Sequence, residues 1–211
     1  MLILDLDDTI FKTKSMNPKL FDSAIDVVKK YYRTIEATAL ADKLIAELWS
    51  IPIDVVFSKY STPKEIELEF YQEIAKIDFN KLDISVFEDY RFIQTITKRK
   101  FLVTTGLKEL QFAKIKALEI ESDFEAIYID DPRLTPRNSK RLIFEQILQE
   151  TQQSPHEIWV IGDNPDSEIK AGKDLNMNTI QRKSSSKKAS KYADYEITSF
   201  EELKYIINKI S

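Results

Sequence analysis

Asp5, Asp7 and Asp8 crowd into a span of four residues directly after the apolar run Leu2 to Leu4. Like charges so close repel one another unless a cation or a proton intervenes. A divalent hard cation takes oxygen ligands and turns that repulsion into attraction, so magnesium is the natural companion of the cluster. One Asp here would read as an acidic turn, but three after an apolar strand point to chemistry. A carboxylate is a competent covalent nucleophile, and a phosphoryl group taken up by Asp5 would split a hydrolysis into attack and release.

Three further places carry unusual chemistry just beyond an apolar run or at a helix start. Thr104-Thr105-Gly106 follows Phe101-Leu102-Val103, where hydroxyls and backbone N–H groups can donate to a phosphoryl oxygen. Alone, the tripeptide also fits a strand end with a turn glycine. Lys140 opens the helical pattern Ser139 to Phe144, with Arg137 and Arg141 beside it. A basic residue at such a position is ordinarily solvated. Ile158 to Ile161 is followed by Gly162-Asp163-Asn164-Pro165, all turn formers, and then by Asp166 and Glu168. His156, the single histidine, follows Ser154-Pro155 and reads as a surface residue, which leaves little for histidine base chemistry.

Leu4-Asp5-Leu6-Asp7-Asp8-Thr9 resembles the DxDx(T/V) first motif of the haloacid dehalogenase superfamily, and the other three places resemble its remaining motifs in order. The resemblance implies roles residue by residue. Asp5 is the nucleophile and Asp7 the general acid/base. Thr104 is the phosphate-binding hydroxyl, with Thr105 and Gly106 as substrate-binding neighbours. Lys140 neutralises the charge of nucleophile and phosphate. Asp5, Asp7 (through its backbone carbonyl) and Asp163 hold Mg2+. Two residues depart from the commonest pattern: Asp8 stands where glycine is frequent and Glu168 where Asp is frequent, with Asp166 as an alternative acid. The superfamily's dehalogenases lack an acid at the position of Asp7, so a carbon–halogen substrate is disfavoured. A phosphatase acting on a small phosphorylated metabolite is expected. A sugar-phosphate mutase and a non-catalytic phosphate-binding module are the alternatives.

These residues need a scaffold, and ligands of open α/β sheets sit beyond the carboxyl ends of the strands. Asn17-Pro18 reads as an N-cap with proline at the first helical position, followed by Phe21, Ile25, Val28 and Tyr32 at helical spacing. A second helical pattern carries Leu40, Leu44, Ile45 and Leu48, and Thr62-Pro63-Lys64-Glu65 reads as a capping box for a third. From Phe101 on, strand and helix alternate: strands near 101–105, 126–129, 158–161, 178–181 and 195–197, helices near 108–118, 140–149 and 167–175 and from Phe200. Such alternation predicts an α/β fold, a Rossmann-like parallel sheet covered by helices. The expected organisation is a discontinuous core of 1–11 and 86–211, with 12–85 as a small all-helical cap domain. That cap would act as a lid hinged near Lys12 to Asn17 and Leu82 to Val86. Arg182 to Lys188, basic and serine-rich, reads as a solvated loop.

Bulk properties narrow the class further. The 211 residues are 43% hydrophobic and 31% charged with only three glycines, ordinary for a globular chain and unlike a disordered one. A net charge of -4 has the wrong sign for tracking a polyanion, so no nucleic-acid partner is expected. No cysteine is present, which excludes disulfides and a thiolate nucleophile and fits a cytoplasmic location. The start MLILDLDDTIF lacks the basic, then apolar, character of a secretory signal. No run approaches the roughly 20 apolar residues that span a bilayer, so no membrane partner is expected. Oligomeric state is left open.

Overall fold

The computed structural model describes residues 1–183 and 188–207. Six strands form one sheet: β1 (Leu2–Leu4), β2 (Lys100–Thr105), β3 (Ala126–Asp130), β4 (Trp159–Gly162), β5 (Asn178–Arg182) and β6 (Tyr195–Ile197), in the order β3-β2-β1-β4-β5-β6. Every pairing is parallel. β1 lies at the centre, with Leu4 opposite Leu102 on one side and Ile161 on the other. Successive crossovers leave β1 in opposite directions, so a crevice opens past the carboxyl end of this strand.

Two-residue periodicity sorts the strand side chains onto two faces. Ile3, Phe101, Val103 and Val160 pack with Ile143, Phe144 and Ile147 of the helix Lys140–Thr151 in one apolar cluster. Leu2, Leu4, Leu102 and Ile161 face the other way and join a second, larger cluster. Burial on both faces explains why these strands read as continuous apolar runs rather than alternating ones.

The insert after β1 is helical, with α1 (Asp22–Thr34), α2 (Thr38–Glu47), α3 (Ile53–Lys59) and α4 (Lys64–Ala75). As the sequence predicts, Asn17 accepts from the Lys19 N–H and Pro18 opens a 3-10 turn leading into α1. The capping box does not form: Pro63 occupies the N-cap of α4, which has no side-chain cap. Thr62 instead bonds its hydroxyl to that of Tyr32 at 3.0 Å. The apolar interior of the insert, including Phe57, Phe70 and Leu44, is continuous with the larger cluster of the sheet. Its two connections run side by side, since Phe11 bridges Val86 in antiparallel fashion and the Phe87 N–H donates to the Ile10 carbonyl at 2.8 Å.

The remaining helices are α5 (Tyr90–Thr95), α6 (Lys108–Ala117), α7 (Lys140–Thr151), α8 (Lys170–Asp174) and α9 (Leu203–Ile207). A π-helical turn, Pro165–Ile169, precedes α8. Among the described residues no helix is long and apolar enough to cross a membrane. The basic stretch is not a uniform solvated loop: Arg182 ends β5 and is buried against Asp89. Lys183 pairs with Glu196, and residues 184–187 of that stretch lie outside the described set.

Candidate active site

β1 ends at Leu4, and the chain turns at its tip. Asp5 keeps the sheet register through its N–H, which donates to the Ile161 carbonyl at 3.0 Å, and Ile10 closes the turn by donating to Leu6 at 2.9 Å. Asp8 takes a left-handed conformation with φ +55°, a region Asp tolerates better than most residues. Its Oδ1 accepts from the Thr13 N–H at 3.0 Å. Such a backbone is where glycine costs least, which accounts for the glycine usual at this place in the resembling motif.

Asp5 is only 5% exposed, and its Oδ1 accepts from Lys140 Nζ at 2.6 Å. The same ammonium donates to Glu168 Oε2 at 2.8 Å. Thr9 donates to Asp5 Oδ2 at 3.3 Å. Asp5, Asp163 and Glu168 each bring a carboxylate oxygen to within 4.8 Å of the others, all three residues being buried. Burial raises the Asp5 carboxyl most; Lys140 opposes, Glu168 and Asp7 add to the rise, and the result is pushed up to about 7. Burial works against the Lys140 ammonium, yet Asp5 and Glu168 together hold it well above the usual lysine range.

Glu168 reaches this cluster from the π-helical turn, where its other oxygen accepts from the Asn164 N–H at 2.6 Å. The side chain crosses directly over Gly162, whose missing Cβ makes the path possible: a methyl there would collide with Glu168. Asp166 is exposed on the same turn and is not part of the carboxylate group. Neither arginine near Lys140 competes for its place. Arg137 pairs with Asp130 and with Asp54 of α3, and Arg141 pairs with Glu145 at the surface.

Asp7 points elsewhere. Its Oδ1 accepts from Lys114 Nζ at 2.7 Å and from the Thr13 hydroxyl at 3.3 Å, and its Oδ2 accepts from Gln111 Nε2 at 2.8 Å. Its carboxylate is therefore outside the Asp5–Asp163–Glu168 group, and only its backbone carbonyl is left for the metal role implied by the sequence. Thr104 is fully buried, its hydroxyl accepting from Gln111. Thr105 and Gly106, not Thr104, line the cavity above Asp5. The Thr105 hydroxyl donates to Asp130 at 3.0 Å, and the Gly106 N–H donates to the Asp130 carbonyl at 3.1 Å. His156 is exposed, as expected.

Gln111 and Lys114 of α6 were not legible as site residues from any motif. A signal exists all the same. Leu107, Leu110 and Leu118 make an apolar stripe with helical spacing, and Gln111 and Lys114 fall inside that stripe although 0% and 4% exposed. Polar groups at core positions need dedicated partners, and here the partners are Asp7 and Thr104. Gly106, with φ +152°, leaves the space through which the Gln111 side chain passes.

Chemically, the arrangement offers a nucleophilic carboxylate held by an ammonium, a second carboxylate on a separate anchorage, and a buried oxygen-donor group. Solved structures with the same fold include a HAD phosphatase from Thermococcus onnurineus, 19% identical over 98% of this chain and 96% of that one, with TM-score 0.64. A haloacid dehalogenase-like hydrolase from Bacteroides fragilis is 13% identical over 96% and 98%, with TM-score 0.71. The HAD-hydrolase YfnB from Bacillus subtilis, solved bound to magnesium and described as revealing interdomain movement, is 17% identical over 98% and 97%, with TM-score 0.62. No curated protein sequence matches the chain. The family model for haloacid dehalogenase-like hydrolases matches residues 2–181, nearly the whole of the sheet together with the insert, and the chain belongs to that family.

Proposed function

We propose that this hydrolase is a magnesium-dependent phosphomonoesterase that acts on a small phosphorylated metabolite through a phospho-aspartate on Asp5. The observation that carries the reading is the gathering of Asp5, Asp163 and Glu168 within 4.8 Å of one another, with the Lys140 ammonium bonded to Asp5 and Glu168. Asp5 and Glu168 share the one ammonium of Lys140, two negative charges against one, and the oxygen donors of Asp163 stand beside them, a hard-donor set that suits Mg2+. Asp5 and Asp163, with Glu168 beside them, would hold the ion, and the Asp7 carbonyl is the further ligand that the family resemblance suggests. When bound, the ion supplies positive charge that stabilises the phosphoryl oxygens.

Asp5 attacks phosphorus, and the bond from phosphorus to the ester oxygen breaks. The leaving oxygen takes a proton from Asp7 and departs as the alcohol. Water then attacks the phosphorus of the phospho-aspartate, surrenders its proton to Asp7, and releases orthophosphate as the bond to Asp5 breaks. Lys140 keeps the attacking carboxylate oriented and offsets charge as it passes to phosphate. Residues 12–85 are proposed as the cap over this site, swinging on the paired connections at Phe11 and Val86. The interdomain movement described for the Bacillus hydrolase supports that reading. Closure would keep bulk water from the reacting groups.

The test is phosphate release from p-nitrophenyl phosphate with and without Mg2+, repeated with Asp5→Asn. Release that needs both the ion and Asp5 supports the proposal. Undiminished release by Asp5→Asn would overturn the covalent step.

A further inference from the structure

The cavity above Asp5 has two unlike ends. Every charged side chain on its wall, including Asp5, Asp7, Lys114, Lys140 and Asp163, comes from residues outside the insert. The insert contributes an apolar wall in which Phe21, Trp49, Ile53, Phe70 and Ile74 are prominent, continued by Leu110 of α6. The rings of Phe21 and Trp49 meet edge to face at 5.5 Å, which gives this wall a fixed aromatic corner. Among the lining residues between 12 and 85 none is charged, and the hydroxyls are those of Thr13 and Ser50. Thr13 is turned to Asp7, and Ser50 donates to the Glu47 carbonyl.

A phosphate ester placed with phosphorus at Asp5 must direct its leaving group along this wall. A sugar would bury several hydroxyls there, and each left without a partner weakens binding by on the order of tenfold. An apolar group gains instead, by about threefold to fourfold for each buried methylene. The cavity measures about 190 Å³ with its charged end included, so the phosphoryl group takes part of that space and the leaving group the remainder.

Building on the phosphomonoesterase reading, we infer that the substrate is the phosphate ester of a small apolar alcohol or phenol. A phosphosugar does not fit this wall, which counts against the mutase alternative. Specificity arises from exclusion of hydroxyl groups by the insert, and the phosphate is held by the charged end alone.

The experiment uses the full chain with Mg2+ and a homologous series of methyl, ethyl, propyl and butyl phosphate, with glycerol 1-phosphate as the polar comparison. All are alkyl esters, so leaving-group basicity stays nearly constant. The expected result is a kcat/KM that climbs about threefold per methylene, with butyl phosphate ahead of glycerol 1-phosphate by at least about tenfold. A flat or falling series, or glycerol 1-phosphate equal to butyl phosphate, overturns the inference while leaving the phosphatase reading intact. The matching alkylphosphonates, titrated calorimetrically, give the same gradient in Kd without turnover. Should no ester be hydrolysed, a phosphonate gradient upholds the apolar wall and sinks the phosphatase reading, whereas a flat one overturns both. Trp49→Ala and Ile53→Ser, at separate points on the wall, are each expected to flatten the gradient. The slope is a ratio within one protein and does not depend on how much of a variant folds. An undiminished slope in both folded variants overturns the assignment of this wall.

Discussion

Two of the clusters of buried charge among the described residues are balanced differently. At the far end of the sheet, Arg182 meets Asp89 with two hydrogen bonds of 3.0 and 3.1 Å, and the Phe200 N–H donates to the same carboxylate at 2.8 Å. The guanidinium lies 4.4 Å from the ring centre of Phe87 and 4.3 Å from that of Phe200. One negative charge meets one positive charge, and nothing is left over. Burial would raise the Asp89 carboxyl, but the Arg182 hydrogen bonds and the Phe200 N–H overcome it and hold the group below the usual carboxylate range. At β1, by contrast, Asp5 and Glu168 share the one ammonium of Lys140, with Asp163 close by, and Asp5 is pushed up to about 7, first by burial and then by Glu168. A balanced pair is complete as a structural clamp. An unbalanced cluster costs stability unless something positive arrives, which is what a site awaiting a cation and a phosphate requires.

The sharpest way to break the contrast is Asp5→Asn. Turnover should fall by about 10⁴-fold or more, since the covalent route is lost. The metal-free protein should nevertheless become more stable. Asp5 titrates near 7 when folded and near 3.9 when unfolded, so its penalty is absent below pH 4, grows as the pH rises, and is complete above 7. The difference corresponds to at most about 4 kcal/mol at pH 8. Chemical denaturation of both proteins in chelator at pH 5 and pH 8 measures it. A variant that is less stable at both would refute the excess of negative charge.

Chelation comes next in size. Removing divalent ions should cut turnover by about 10²-fold or more, and adding Mg2+ should raise the melting temperature of the native protein. Because the ion competes with a proton on Asp5, that stabilisation should strengthen from pH 6 to pH 8 and level off above the carboxyl's value of about 7. Thermal melts at fixed Mg2+ across this range check it. A stabilisation unchanged with pH would detach Asp5 from the ion.

Asp89→Asn should behave in the opposite manner. Leaving Arg182 buried without its counter-charge should cost roughly 3–5 kcal/mol, with kcat per folded molecule unaltered. The clamp's contribution is present above the unfolded carboxyl value of about 3.9 and is lost as the pH falls below it, because Asp89 is depressed in the fold. The native protein should therefore show an acid-side loss of stability that the variant lacks. Equilibrium unfolding between pH 3 and pH 7 separates the two curves.

The sequence was informative where local chemistry and final geometry coincide. Alternating strands and helices and the Asn17-Pro18 helix entry follow from periodicity and turn formers. Of the candidate site, the motif resemblance singled out Asp5, Lys140 and Asp163, and the structure brings these three close to one another. Alternation failed for Asp7: an extended reading puts it on the side of Asp5, but β1 stops at Leu4 and the turn through Asp8 sends its carboxylate to Lys114. Thr62 passes for a cap because spacing says nothing of Tyr32, which is 30 residues away. Arg182 passes for loop charge for the same reason, since Asp89 is 93 residues away. Long-range partners decide such residues, and no single-sequence pattern carries them.

The smallest effect concerns how the second carboxylate is held. In the proposed mechanism Asp7 serves a leaving oxygen and then a water, two positions in one cycle, which calls for an anchorage that does not also engage Asp5. Lys114 and Gln111 provide one, at 2.7 and 2.8 Å, from a helix whose buried stripe they interrupt. Replacing Lys114 by Met keeps length and apolar contact with Phe11 while removing the ion pair. The expected outcome is a fall in kcat of about tenfold, equivalent to roughly 1.4 kcal/mol, with KM for butyl phosphate nearly unchanged because the apolar wall is untouched. Lys114→Arg, which retains the charge but not its shape, should recover part of the loss. Steady-state kinetics on the three proteins decide the matter. A rise in KM at constant kcat would mean that Lys114 binds phosphate directly and that Asp7 is positioned without it.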